Sequence, residues 1–282
     1  MKEGAYGVFK LLDISYKKKM KYNLISMDFD GTLLTSNKKV TEKNKNILLK
    51  YKNSGPIIVG VTARNLSSVK SVCDINMFNY LILNNGSYIY HVDSKSGTNI
   101  CNINNDIIID ITNYFKDIAK EIDYCSINKY YIYKKEAVEK KDYITQINNI
   151  SEIKEKISRM NIFLKNSDEI DENKKYIENN FPKVSAITML DTDNNSGNKW
   201  IAINSKETNK FKALEKLCSS LNINLNQVIY FGDSTNDLPI INKVGLGIAM
   251  GNAIQEVKEQ AKDITLSNDE DGIASFLEKI KN

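Results

Sequence analysis

Residues 22–34, YNLISMDFDGTLL, constrain this chain more than any other stretch. The first half is an apolar run (Leu24, Ile25, Met27) without a turn residue, the pattern of a strand buried on both faces. It ends in Asp28-Phe29-Asp30 and turns at Gly31-Thr32. Alternate strand residues point the same way, so the two carboxylates leave the strand's C-terminal end towards one place. In an open α/β sheet, that end is where ligands bind. Gly31 permits a sharp turn where a side chain would obstruct the backbone. Two anions side by side at a buried strand end are costly unless a cation or proton compensates them. A pair of acids in a solvated turn is the plain alternative. A calcium loop would need later ligand positions that are missing here.

The chain then alternates strands and helices. Thr41 caps a helix over 41–53 that Gly55-Pro56 stops. The run IIVGV at Ile57–Val61 reads as a buried strand, 65–72 as a short helix, and Tyr80–Leu83 as a third strand. This rhythm argues for a doubly wound parallel sheet. From Gly86 the texture changes. A hairpin is expected over 87–91 and 98–103, a helix over 106–122, and strands near 124–127 and Tyr130–Tyr133. An ambiguous polar stretch follows to 150, then a helical 153–157, a strand over 160–164, a helix over 167–180, and a hairpin (186–190, 200–203) across a turn at 193–198. Mixed elements without a βαβ rhythm suggest an inserted α+β domain. The alternation resumes with a helix at 209–221, a strand at 228–231, the loop GDSTND, a strand at 244–250, a helix at 253–261, a strand at 264–266 and a closing helix at 272–280.

Composition narrows the classes of function. With 282 residues the chain is long enough for two domains, and 41% hydrophobic residues suffice for packed cores. No apolar run approaches the ~20 residues of a membrane span. The net charge of +4 mixes acids and bases throughout, a solvated surface and not a nucleic-acid footprint. Lysine is abundant while arginine occurs only at 64 and 159, so Arg64, just after the second strand, stands out. The four cysteines show no CxxC spacing, and His91 is the one histidine, which indicates neither a zinc site nor a disulfide framework. A monomer in a reducing cytoplasm is the default. Residues 1–19 read as an N-terminal extension with a short amphipathic turn over 8–14 and no secretory signal.

The stretch DFDGTLL, on a strand introduced by MKYNLIS, resembles the first motif of the haloacid dehalogenase superfamily, in the form of its Cof-type, class IIB-capped phosphatases. The resemblance covers about 20–90 and 204–282, where VGLGIAMGNA and SNDEDGIASFL are also similar to the family. It implies a Rossmann-like core at 20–86 and 204–282 and a cap at 87–203. It also implies a Mg²⁺-dependent phosphomonoester hydrolase acting on small phosphorylated metabolites, sugar phosphates or similar. Asp28 would then be the nucleophile that forms an aspartyl phosphate, and Asp30 the general acid and base. The N–H of Phe29, the Thr62 hydroxyl with the N–H of Ala63, Lys210 and Asn236 would hold the phosphoryl group. Asp28, the Asp30 carbonyl and Asp233 would bind Mg²⁺, with Asp237 steadying them. Ala63 and Phe211 stand where the family usually has glycine, and Lys212 competes with Lys210. Alternatives are a phosphotransferase or phosphomutase on the same core, a receiver-like module phosphorylated on aspartate, and a catalytically silent binding protein.

Overall fold

The computed structural model describes residues 21–133, 140–190 and 199–280. The extension at 1–19 and the turn at 193–198 lie outside them. In chain order the elements are β1 (Leu24–Met27), α1 (Glu42–Ser54), β2 (Ile57–Val61), α2 (Leu66–Val72), β3 (Tyr80–Leu83), β4 (Tyr88–His91) and β5 (Ser96–Asn99). Then come α3 (Asn105–Phe115), β6 (Ala119–Cys125), β7 (Tyr130–Tyr133), β8 (Ile144–Ile147), β9 (Arg159–Leu164), α4 (Ile170–Asn180), β10 (Val184–Leu190) and β11 (Lys199–Ser205). The chain closes with α5 (Lys210–Ser220), β12 (Val228–Gly232), α6 (Leu238–Ile241), β13 (Leu246–Ala249), α7 (Gln255–Gln260), β14 (Asp263–Ile264) and α8 (Gly272–Lys279).

The first sheet has the order β14-β13-β12-β1-β2-β3-β4-β5, parallel from β14 to β3. Strand β1 is central, and Leu24, Ile25, Ser26 and Met27 are all buried, so both faces of the sheet are covered. Burying each such large apolar side chain is worth roughly 1.5–3 kcal/mol. Helix α1 starts where Thr41 accepts a hydrogen bond from the N–H of Asn44, and ends at Gly55 with φ 132°. The Tyr51 hydroxyl ties it to α8 through the Leu277 carbonyl at 2.8 Å. From β1 the chain moves out to β2 and β3, and later returns to β12 on the other side. The switch point thus lies between β1 and β12, where a crevice opens at the strand ends. Their register, Met27 beside Phe231, brings Asp28 next to Gly232.

The second sheet has the order β10-β11-β9-β6-β7-β8, with α3 and α4 packed on one face around Ile122, Tyr124, Met160, Ile162 and Ile201. Sequence expectation and structure part in four places here. The helix expected over 106–122 ends at Phe115, because beyond it Ile122 and Tyr124 fall on a two-residue period and pair with β9. Residues 153–157, expected to be helical, form no helix; a single turn at Ile150–Glu152 precedes them. The polar stretch before 150 holds β8, which pairs in parallel with β7. The hairpin beginning at Tyr88, which the sequence assigns to the insert, hydrogen-bonds to β3 and extends the first sheet.

Candidate active site

The two strand ends at the switch point supply the acids. The Asp28 N–H donates to the Phe231 carbonyl at 3.0 Å, continuing the ladder one residue beyond β1. This leaves the Asp28 carboxylate buried, 2.9 Å from the Lys210 ammonium. Burial, and then the Asp237 charge, push the Asp28 carboxyl up to about 7 against the pull of Lys210. Lys210 is itself buried at the first position of α5, whereas Lys212 is exposed. Burial disfavours its charge, but Asp28 and Asp237 outweigh this and raise its pKa. Its Nζ also reaches Asp237 Oδ1 at 3.2 Å and Asn236 Oδ1 at 3.4 Å.

Asp237 is fully buried and its oxygens are both occupied. Oδ1 accepts from the Tyr230 hydroxyl at 2.7 Å, and Oδ2 accepts from the N–H groups of Asp233 and Ser234 at 3.1 and 3.2 Å. It fixes the loop that presents Asp233. The Thr32 hydroxyl donates to Asp233 Oδ1 at 2.7 Å, and burial still pushes this carboxyl up to about 6. Gly31 has φ 78°, and a Cβ there would run into the Asp233 carboxylate. One carboxylate oxygen each from Asp28, Asp233 and Asp237 lies within 4.8 Å of the others. Lys210 is paired with Asp28 and Asp237, and one ammonium cannot neutralise three carboxylates once all of them ionise. Hard oxygen donors in this number fit Mg²⁺, and Asp28 and Asp233 are the members left with open coordination.

Asp30 is turned to other partners. Arg64 grips it in fork geometry, Nε to Oδ2 at 2.8 Å and Nη2 to Oδ1 at 2.7 Å, and Lys38 adds a contact at 3.3 Å. Burial opposes its charge, but the Arg64 bonds and charge prevail and lower its pKa. Thr62 is buried at the end of β2, where its hydroxyl accepts from the Arg64 N–H at 3.1 Å. The Ala63 carbonyl accepts from Arg159 at 3.3 Å. The Phe29 side chain is buried and stacks on Phe78 at 5.5 Å, while its N–H meets the Asp28 carboxylate.

Residues 25–277 match the family model described as haloacid dehalogenase-like hydrolase. The chain belongs to that family. Among similar proteins is the 5-amino-6-(5-phospho-D-ribitylamino)uracil phosphatase YcsE of Bacillus subtilis, 28% identical over 258 residues, covering 90% of this chain and 94% of that protein. A haloacid dehalogenase-like hydrolase from Bacteroides thetaiotaomicron superposes with a TM-score of 0.80 at 23% identity, over 93% of this chain and 100% of that one. The HAD subclass IIB sugar phosphatase BT4131 has the same fold, with a TM-score of 0.69 at 18% identity over 91% and 98% of the two chains.

The hydrolase's site also contains residues to which sequence reading gives no role. Thr32 and Tyr230 position Asp233 and Asp237, and Arg64 pairs with Asp30. Asn252 donates to the Gly31 carbonyl at 2.8 Å and accepts from the Asn268 N–H at 3.0 Å, bracing the turn after β1. Arginine rarity is the signal that marks Arg64. Lys38 is hidden among many lysines.

Proposed function

We propose that this hydrolase cleaves phosphomonoesters of small metabolites with the help of Mg²⁺, in two steps through a phosphorylated Asp28. The observation that carries this reading is the buried Asp28 carboxylate at a strand end, 2.9 Å from the Lys210 ammonium and beside Asp233. In the first step an Asp28 oxygen bonds to phosphorus as the bond to the ester oxygen breaks. Lys210, Asn236, the Thr62 hydroxyl and the N–H groups of Phe29 and Ala63 hold the phosphoryl oxygens as charge shifts onto them. Asp30 delivers a proton to the departing alkoxide, and in the second step takes one from the water that cleaves the acyl phosphate. Arg64 favours the ionised Asp30, which suits the second role, and the first requires this pair to open. Mg²⁺ held by Asp28, Asp233 and the Asp30 carbonyl would supply charge neutralisation between carboxylates and phosphoryl group. Asp237 keeps Asp233 in place.

The second sheet with its helices, Asn105–Ser205, is the proposed cap over this site. Its contacts support the placement: Arg159 reaches the Ala63 carbonyl, and the Leu66 N–H donates to the Ile127 carbonyl at 2.9 Å. The activity named for YcsE, on a phosphorylated ribityl compound, supports phosphorylated metabolites as the substrate class. The test is turnover of p-nitrophenyl phosphate by the purified protein. Activity should require Mg²⁺, be lost in EDTA, and fall by about 10⁴-fold or more in Asp28→Asn. Undiminished turnover in that variant would remove Asp28 from the reaction.

A further inference from the structure

Ile150, Ile153 and Ile157 recur at helical spacing, yet only Ile150–Glu152 makes a turn and no helix carries the three. They face α3 across a cavity of about 310 Å³, whose other apolar walls are Ile108 and Ile109. No residue proposed for phosphoryl transfer lines it. Ile108 and Ile157 are buried members of the cluster under α3 and α4, so they form a fixed floor. Ile150 and Ile153 are half-buried, and Ile109 is 43% exposed. The Ile103 N–H donates to the Ile157 carbonyl at 2.9 Å, which ties this wall to the chain entering α3. Apolar walls left open to water forfeit burial that an apolar ligand would supply, and small-ligand sites usually measure roughly 300–1,000 Å³.

The rim is polar and supplies positive charge. Lys154 and Lys156 line the cavity and are exposed. The Lys154 ammonium donates to the Ser151 carbonyl at 2.9 Å, and Ser151 lines the same rim. Glu155, between the two lysines, is turned to other partners: Oε2 accepts from Ser126 Oγ at 2.8 Å and Oε1 from the Tyr131 hydroxyl at 3.1 Å. The first turn of α3 reaches the opening through Asn105. Asn104, at the N-cap, makes no side-chain hydrogen bond to that turn, so its N–H groups and the helix dipole favour an anion there. Asp106 in the same turn and Glu152 in the facing one limit this preference to a single negative charge.

We propose that this cavity binds a small aliphatic carboxylate, its chain among the five isoleucines and its head at Lys154, Lys156 and the start of α3. Isoleucine walls offer no hydrogen bond, so the enclosed part of the ligand must be apolar. An amine would meet the two lysines as a like charge, and a neutral molecule would gain nothing from them. A phosphomonoester, as a dianion, would meet Asp106 and Glu152, so the ligand differs in class from the substrate of the core site. The inference stands apart from the phosphatase reading.

Calorimetric titration of the full chain with octanoate, butanoate and octylamine tests this, in the wild type, in Ile109→Glu and in the double variant Lys154→Glu with Lys156→Glu. Octanoate should bind saturably, one per chain, and more tightly than butanoate by about four-fold for each added methylene. Octylamine should bind about ten-fold more weakly than octanoate, or worse. Each variant should weaken octanoate about ten-fold or more, Ile109→Glu by setting a charge in the apolar wall and the double variant by reversing the charge at the head. The three substituted side chains are exposed, so melting temperatures should stay close to the wild type's, and if one variant failed to fold the other would decide. Asp28→Asn should bind octanoate as the wild type does, whatever its effect on turnover. Absence of saturable binding, affinity independent of chain length, equal affinity for octylamine, or unchanged octanoate binding in a folded variant would overturn the site. Loss of binding in Asp28→Asn would also overturn it, by placing octanoate at the catalytic acids.

Discussion

Asp28, Asp233 and Asp237 share the buried ends of two strands with Lys210, and this imbalance should be measurable. Asp28 and Asp233 sit at about 7 and about 6 against a usual 3.8, so between roughly pH 4 and 7 the folded protein binds protons that the unfolded chain has released. Stability without metal therefore falls as pH rises through that window. A divalent cation favours the ionised acids and reverses the loss. Mg²⁺ should then raise Tm more at pH 8 than at pH 5, and Asp233→Asn should remove most of that gain; equal gains at both pH values would count against the metal site. Asp30 should behave differently. Asp30→Asn keeps the backbone carbonyl, so Mg²⁺ binding should largely survive, while proton transfer worth roughly 10²–10⁴-fold is lost. Single-turnover phosphorylation by an alkyl ester should slow far more than by p-nitrophenyl phosphate, whose leaving group needs little protonation. Equal slowing would make Asp30 an electrostatic residue. The acids were legible because a strand end and a two-residue spacing mark them locally. Thr32 meets Asp233 across 201 positions, and Arg64 meets Asp30 across 34. No local pattern carries such pairings.

At the scale of elements, Lys210 depends on how α5 is seated. Asn209 caps this helix by accepting from the Lys212 N–H, and Gly86, with φ 102°, packs directly against the Asn209 backbone. A Cβ at 86 would collide with the Asn209 carbonyl and favour a different backbone conformation. Gly86→Ala should cost about 1–3 kcal/mol of stability and lower kcat by displacing Lys210. A melting curve with p-nitrophenyl phosphate kinetics checks this, and unchanged values of both would show that α5 is not seated by this contact. Helix α5 and strand β12 were readable because their apolar spacing is regular over their whole length. The stretch from Ile107 to Tyr124 was not, since Ile107, Ile111, Phe115 and Ile118 continue a helical spacing into a segment that pairs with β9 instead. Pairing partners override such local signals.

At the scale of the molecule, the described residues build two hydrophobic clusters, one for each sheet. The break in βαβ rhythm after Gly86 coincides with the point where parallel pairing gives way to antiparallel strands. It misassigned the Tyr88–His91 and Ser96–Asn99 hairpin, because an antiparallel extension of a parallel sheet leaves no mark distinguishing it from a separate domain. The residues proposed for phosphoryl transfer all lie outside the second sheet. Replacing residues 101–205 by a short linker should therefore retain Mg²⁺-dependent p-nitrophenyl phosphate turnover and level the rates across a panel of sugar phosphates. Relative rates identical to the full chain's would deny the second sheet a part in substrate choice.

The central claim is that Asp28 carries the phosphoryl group. Acid quenching of the enzyme during turnover, followed by peptide mass analysis, tests it directly. Phosphate should be found on the peptide containing Asp28, in the wild type and in Asp30→Asn, where slowed hydrolysis should make it accumulate. Asp28→Asn should carry none and lose turnover by about 10⁴-fold or more. Rapid ester hydrolysis by Asp28→Asn, or phosphate on another residue in its place, would contradict the account.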